Sequence, residues 1–127
     1  MTKVYPVILI PTDTNYVVTV PDLDINTQGK DIADAVLMAR DAIGLWGICE
    51  QDDGREVPDP STCEPAHEPG ELVAWVDIDF DRYRLTSDMK TVRMNVTLPK
   101  YLKALGDQAG INFSQELQAR IKERLQA

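Results

Sequence analysis

Three aspartates, Asp77, Asp79 and Asp81, recur at two-residue steps in "LVAWVDIDFD" (72–81). On a strand this spacing puts the carboxylates on one face, ~7 Å apart at ~3.4 Å per residue. Clustered carboxylates can hold two Mg²⁺ ions for phosphodiester hydrolysis, but the ions must sit ~4 Å apart. Three side chains in a row on one strand do not converge on such a pair, and no spacing in the chain supplies the missing ligands. A solvated face is the first expectation, an acidic surface for a basic partner the second, and catalysis the last. A second group lies in "VRMNVTLP" (92–99), where Arg93, Asn95 and Thr97 alternate with Val92, Met94, Val96 and Leu98. The alternation predicts a strand with one apolar and one polar face. A guanidinium, a carboxamide and a hydroxyl are the groups that read base edges in the major groove. The plain alternative is a strand with one wet side.

The charge distribution separates these two groups. Residues 1–89 carry 6 Lys and Arg against 18 Asp and Glu, a net of −12, whereas residues 90–127 carry 7 against 3, a net of +4. The acidic part repels nucleic acid and attracts a basic partner; the basic part does the reverse. The chain has 127 residues, which suits one domain or a small domain with a smaller module. No apolar run reaches the ~18 residues of a membrane span, and the N-terminus has neither a long apolar stretch nor a cleavage signature, so a cytoplasmic protein is expected. Cys49, Cys63 and the single histidine, His67, form no metal-ligand spacing; no metal or cofactor is expected, and both cysteines read as reduced thiols. His67 falls in an acidic, proline-rich loop. Phosphate-binding glycine loops are absent, and no serine has a catalytic partner pattern.

These groups need elements to position them. "YPVILIP" (5–11) and "YVVTVPD" (16–22) read as a hairpin around "TDTN", and "INTQG" (25–29) as a short third strand ending at Gly29. Asp31 caps a helix whose buried face is Ile32, Ala35, Val36, Ala39, Ile43 and Trp46. Gly44 and Gly47 weaken its end. Residues 51–71 read as loop, 72–81 as the next strand, and 82–90 as a linker. Trp46 and Trp75 are expected in the core. Pro99 opens a helix that Gly110 closes, with Leu102, Leu105 and Ala109 on its apolar face. Asn112 caps a second helix over 112–127, with Gln115 in the capping-box position. A unit this small rarely folds alone, and its strand needs a partner, so pairing of two copies is the economical solution.

The order of "VRMNVTLP", a helix, a glycine and "NFSQELQ" resembles the ribbon-helix-helix module of the Arc and MetJ repressors. Ahead of it, "YPVILIP", "YVVTVPDL", "TQG", "DIADAVLMARDAI", "VPDPS" and "VAWVDIDF" resemble the HicB-type antitoxins. The resemblance covers nearly the whole chain, and it is carried by the order of the pieces. It implies an α+β chain: a partial RNase H-like domain of antiparallel sheet plus helix over 1–81, a linker over 82–90, and a ribbon-helix-helix module over 91–127. It implies DNA contacts from Thr91, Arg93, Asn95 and Thr97. Phosphate would be held by the backbone at Asn112, Phe113 and Ser114, as helix-terminus physics also allows. It implies a non-enzymatic antitoxin that blocks a small basic mRNA-cleaving RNase of HicA-like type and, as a homodimer or higher oligomer, represses its own operon. The chain departs from many relatives in "LDINTQG" (23–29), where a Pro-Gly-Cys-like turn would stand. A stand-alone regulator with a ligand- or protein-binding N-terminal domain is the alternative. A nuclease built on the aspartates is the third.

Overall fold

The computed structural model describes residues 1–88 and 91–126. They form β1 (Thr2–Pro11), β2 (Tyr16–Val20), β3 (Ile25–Gly29), α1 (Ile32–Asp52), β4 (Leu72–Asp79), α2 (Phe80–Ser87), α3 (Lys100–Gln108) and α4 (Phe113–Gln126). The chain packs as two units, Met1–Lys90 and Thr91–Ala127.

In the first unit the strands form one antiparallel sheet in the order β3-β2-β1-β4. Alternation sorts the side chains by face. Tyr5, Val7 and Leu9 of β1, Val18 and Val20 of β2, and Val76 and Ile78 of β4 are buried together with Ala35, Ala39 and Ile43 of α1. Helix α1 thus covers one face of the sheet, as its apolar spacing predicts, although Ile32 at its start is 47 % exposed. Asp31 caps α1, its carboxylate accepting from the Asp34 N–H at 2.8 Å. Gly54, at φ 79°, ends it in a left-handed turn, its N–H bonded to Gln51 O and that of Arg55 to Glu50 O. Between β2 and β3, where the resemblance implies a Pro-Gly-Cys-like turn, Asp24 holds φ 54°. Aspartate is one of the few side chains that tolerates this region, so the turn forms without glycine.

Gly29 is where β3 passes under the start of α1. A Cβ there would lie 2.4 Å from the Ala35 backbone nitrogen and 2.5 Å from its Cα. Because backbone cannot swing away as a flexible side chain can, Gly29→Ala is expected to destabilise the unit by about 3 kcal/mol, read from the urea midpoint.

Residues 82–87, expected as linker, are helical and belong to the first unit; Met89 and Lys90 of that expectation lie outside the described residues. The strand stops at Asp79 because its carboxylate caps the next helix, accepting from the N–H groups of Asp81 (3.1 Å) and Arg82 (3.2 Å). Phe80, fully buried, and Tyr83 then turn onto α1. Their rings lie against Gly47 and Gly44, where a Cβ would come within 2.1 Å of Phe80 and 2.5 Å of Tyr83. The two glycines that weaken α1 as a helix are the groove that receives α2.

The 53–71 segment contains no regular element after its first turn, yet it is tied down. Val57 is buried, the Tyr5 hydroxyl donates to Pro58 O at 2.5 Å, Lys3 pairs with Asp59 at 2.8 Å, and the Asp22 carboxylate accepts from Ser61 N and Oγ at 2.7 and 2.6 Å. Burial pushes the Tyr5 hydroxyl up to about 12, and burial with the Asp41 contact at 2.8 Å does the same for Tyr83. Both phenols must stay protonated in the fold but ionise near 10 when unfolded. Their contribution is therefore complete below pH 10 and is lost as pH rises towards 12. Alkaline titration of the melting temperature is expected to show this fall, and Tyr5→Phe with Tyr83→Phe to flatten it.

In the second unit, α3 ends in a paired cap. Gly110, at φ 71°, donates to Asp107 O, and Ile111 donates to Gly106 O. Asn112 then caps α4, its side chain accepting from Gln115 N at 3.2 Å. Phe113 seats its ring on Gly106, where a Cβ would come within 2.6 Å. Ala127 of the expected second helix lies outside the described residues.

Candidate binding surfaces

The aspartate series does not form one site. Asp77 meets Arg40, whose Nη donates to its carboxylate and whose Nε donates to its backbone carbonyl, both at 2.9 Å. That guanidinium, together with the residue's own N–H, holds the Asp77 carboxyl below the usual carboxylate range. Asp79 caps α2, and Asp81, expected on the strand, lies in α2 and pairs with the Met1 ammonium. Asp79 also lies 3.7 Å from that ammonium, so the carboxylates serve as an ion-pair partner of Arg40, a helix cap and a chain-terminus pair rather than as one site. Among the described residues no three His, Cys, Asp or Glu side chains are grouped to hold a metal ion. Cys49 and Cys63 are free and exposed, and His67 sits in the loop with Nδ1 3.0 Å from Pro65 O.

Among the described residues of the first unit no helix lies over the other face of the sheet, since α1 packs on the side of Tyr5, Val7 and Leu9. Its centre is apolar. Pro6 and Ile8 are buried, Ile10, Val17 and Val73 are half-buried, and Val4 and Trp75 are 43 and 48 % exposed. Trp75 stands opposite Pro6 in the β1–β4 register. The expectation of a core position fails for Trp75 because it occupies an outward position of the edge strand; Trp46 packs partly buried against the core as expected.

In the second unit, Thr91, Arg93, Asn95 and Thr97 are exposed in a segment that precedes α3. The strand expected over 92–98 is not formed within the described chain, because a single copy offers it no ladder. Its apolar residues are consequently also exposed: Val92 by 88 %, Met94 by 70 %, Val96 by 55 % and Leu98 by 42 %. Leu102, Leu105, Leu117, Ile121 and Leu125 of the two helices are exposed as well, and of the described residues in this unit only Gly106 is buried. A groove lined by Leu98, Leu102, Leu105, Ala109, Ile111 and Phe113 opens between the segment and the helices. Asn112 and Ser114 are exposed at the start of α4, with Phe113 half-buried between them. No helix among the described residues is long and apolar enough to cross a membrane.

These features define a mixed α+β protein in two units, an acidic sheet-and-helix domain and a small helical module whose apolar face is left open. The sequence model of the HicB-like antitoxins of bacterial toxin-antitoxin systems matches residues 5–119, and the chain belongs to that family. No curated protein matches the sequence. Among solved structures, a chain of a toxin-antitoxin complex from Streptococcus pneumoniae is 24 % identical with a TM-score of 0.56, covering 98 % of this chain and 99 % of that one. The antitoxin HicB of Burkholderia pseudomallei is 26 % identical with a TM-score of 0.52, covering 96 and 98 %. The antitoxin HicB3 is 23 % identical with a TM-score of 0.54, covering 83 and 80 %.

Proposed function

We propose that this antitoxin blocks a small basic RNase toxin of HicA-like type through its first unit and represses its own operon through its second. The observation that carries the reading is the division of charge and packing. A unit with a large negative net charge buries its own core, while a unit with a positive net charge leaves an apolar face unburied. A protein that only bound a toxin would need the first and not the second. Membership of a family of antitoxins from toxin-antitoxin systems supports a toxin partner.

In this reading the first unit has the partial RNase H-like arrangement, three strands in a meander, a helix, and a fourth strand beside the first. It acts as a binding surface rather than an enzyme. The acidic field steers the basic toxin, and contact then covers the toxin's active site. The second unit is a ribbon-helix-helix module. Residues 92–98 of two copies pair as an antiparallel ribbon, so that Val92, Met94, Val96 and Leu98 turn onto the helices and Thr91, Arg93, Asn95 and Thr97 turn into the major groove. The N–H groups at Asn112, Phe113 and Ser114 hold a phosphate. The protein works in the cytoplasm as a homodimer or higher oligomer and needs no cofactor.

The test is co-expression with the small basic protein encoded beside the gene. Recovery of a complex in which RNA cleavage is suppressed is the expected result, together with binding of the complex to its own promoter. A chain that purifies alone and binds only its promoter would make it a stand-alone regulator instead.

A further inference from the structure

We propose that the helix-free face of the sheet, centred on Trp75, is the seat of the basic protein partner; this rests on the toxin-blocking reading above. The face is apolar where it is broad. Val4, Ile10, Val17, Val73 and Trp75 keep part of their surface in water, around Pro6 and Ile8, which are already buried. It is polar at its margins. Asn26 meets Thr19 at 3.0 Å along β3, and Asp77 and Asp79 stand at the end of β4. An apolar centre with a large aromatic and a hydrogen-bonding rim is the anatomy of a protein-binding patch.

Charge selects the occupant. The outward positions of the four strands carry no lysine or arginine and two aspartates. Residues 1–89 as a whole have a net charge of −12. A second copy of this unit would bring that same charge to the interface and be repelled, whereas a basic protein is attracted. The opposite side of the unit is less suited, because on α1 the exposed Leu37, Met38 and Leu45 are interrupted by charged Arg40 and Asp41.

Binding of the small basic protein encoded beside the gene to the full-length chain tests this. Trp75→Arg places a like charge at the centre and is expected to weaken binding by about 30-fold or more. Val4→Lys, also at an exposed position of the face, is expected to weaken it in the same direction while leaving the melting temperature unchanged. Leu37→Arg on α1 is expected to stay within about threefold of the parent chain. In the unaltered protein, iodide is expected to quench the more exposed tryptophan before the partner is added and not afterwards. Normal binding by a folded Trp75→Arg and Val4→Lys would overturn the assignment of the face and leave the antitoxin reading standing. Loss of binding only in Leu37→Arg would move the site to α1. Iodide protection that is already present in the free chain and disappears on dilution would show a second copy on the face, and would also overturn it. Failure of the parent chain to bind any such basic protein would overturn the toxin-blocking reading itself.

Discussion

Replacing Phe80 by alanine is expected to lower the stability of the first unit by about 3–5 kcal/mol, the usual cost of removing a fully buried aromatic ring from a core. Phe80 is 0 % exposed and lies over Gly47 at the point where β4 becomes α2. Collapse into the void is restricted on one side by the α1 backbone, so the cavity stays open and the cost falls in the upper part of that range. Urea unfolding of the full-length chain, followed by circular dichroism, measures it. Gly47→Ala is the converse experiment, since its added methyl would enter the space the ring occupies. In the Phe80→Ala background the same methyl should cost far less, and the difference between the two backgrounds is the coupling of helix to helix. A Phe80→Ala chain with unchanged stability would return residues 82–87 to the status of a linker.

The second large effect is expected at Arg93. A paired ribbon carries two copies of the residue, and a bidentate contact to guanine is worth ~1–3 kcal/mol of discrimination. Losing both in Arg93→Ala removes ~2–6 kcal/mol, so binding to the promoter should fall by roughly 30-fold to 10⁴-fold at fixed salt. Binding to unrelated DNA should fall much less, because it depends on phosphate contacts and counterion release. Capture of the basic partner should not change, since the proposed reading assigns it to the acidic unit. Gel-shift titrations on promoter and scrambled fragments at one salt concentration measure both. A parent chain with equal affinity for the two fragments would sink base readout by this segment.

The strands of the first unit and its long helix are legible in the sequence because alternation and helical periodicity report which face is buried, and the sheet has one face packed against α1. The end of β4 is not legible. "VDIDFD" continues to alternate, and the alternation hides that Asp79 is a cap rather than a strand residue. The signal that could have been used lies in two places at once. Small residues at 44 and 47 and aromatic residues at 80 and 83 share the same three-residue step, and only a packed pair of helices connects them. Read locally, the glycines are only weak helix formers. Trp75 illustrates the same gap, since size and apolarity favour burial while strand position decides it. In the second unit the caps at Gly110 and Asn112 are legible because they are local chemistry. The strand expected over 92–98 is not formed in one chain because none of that chain's own elements supplies it with hydrogen-bonding partners.

The sheet's outer margin at β4 invites one more reading, through the Asp77 backbone. Its carbonyl accepts from Arg40 Nε at 2.9 Å, and its carboxylate from the same guanidinium at 2.9 Å. The acceptor that a foreign strand would seek at this position is already engaged, by a side chain reaching around from α1. An unguarded edge is where nascent chains stack on one another. Here a single guanidinium occupies that acceptor, so an incoming strand finds one ladder position of the edge already taken.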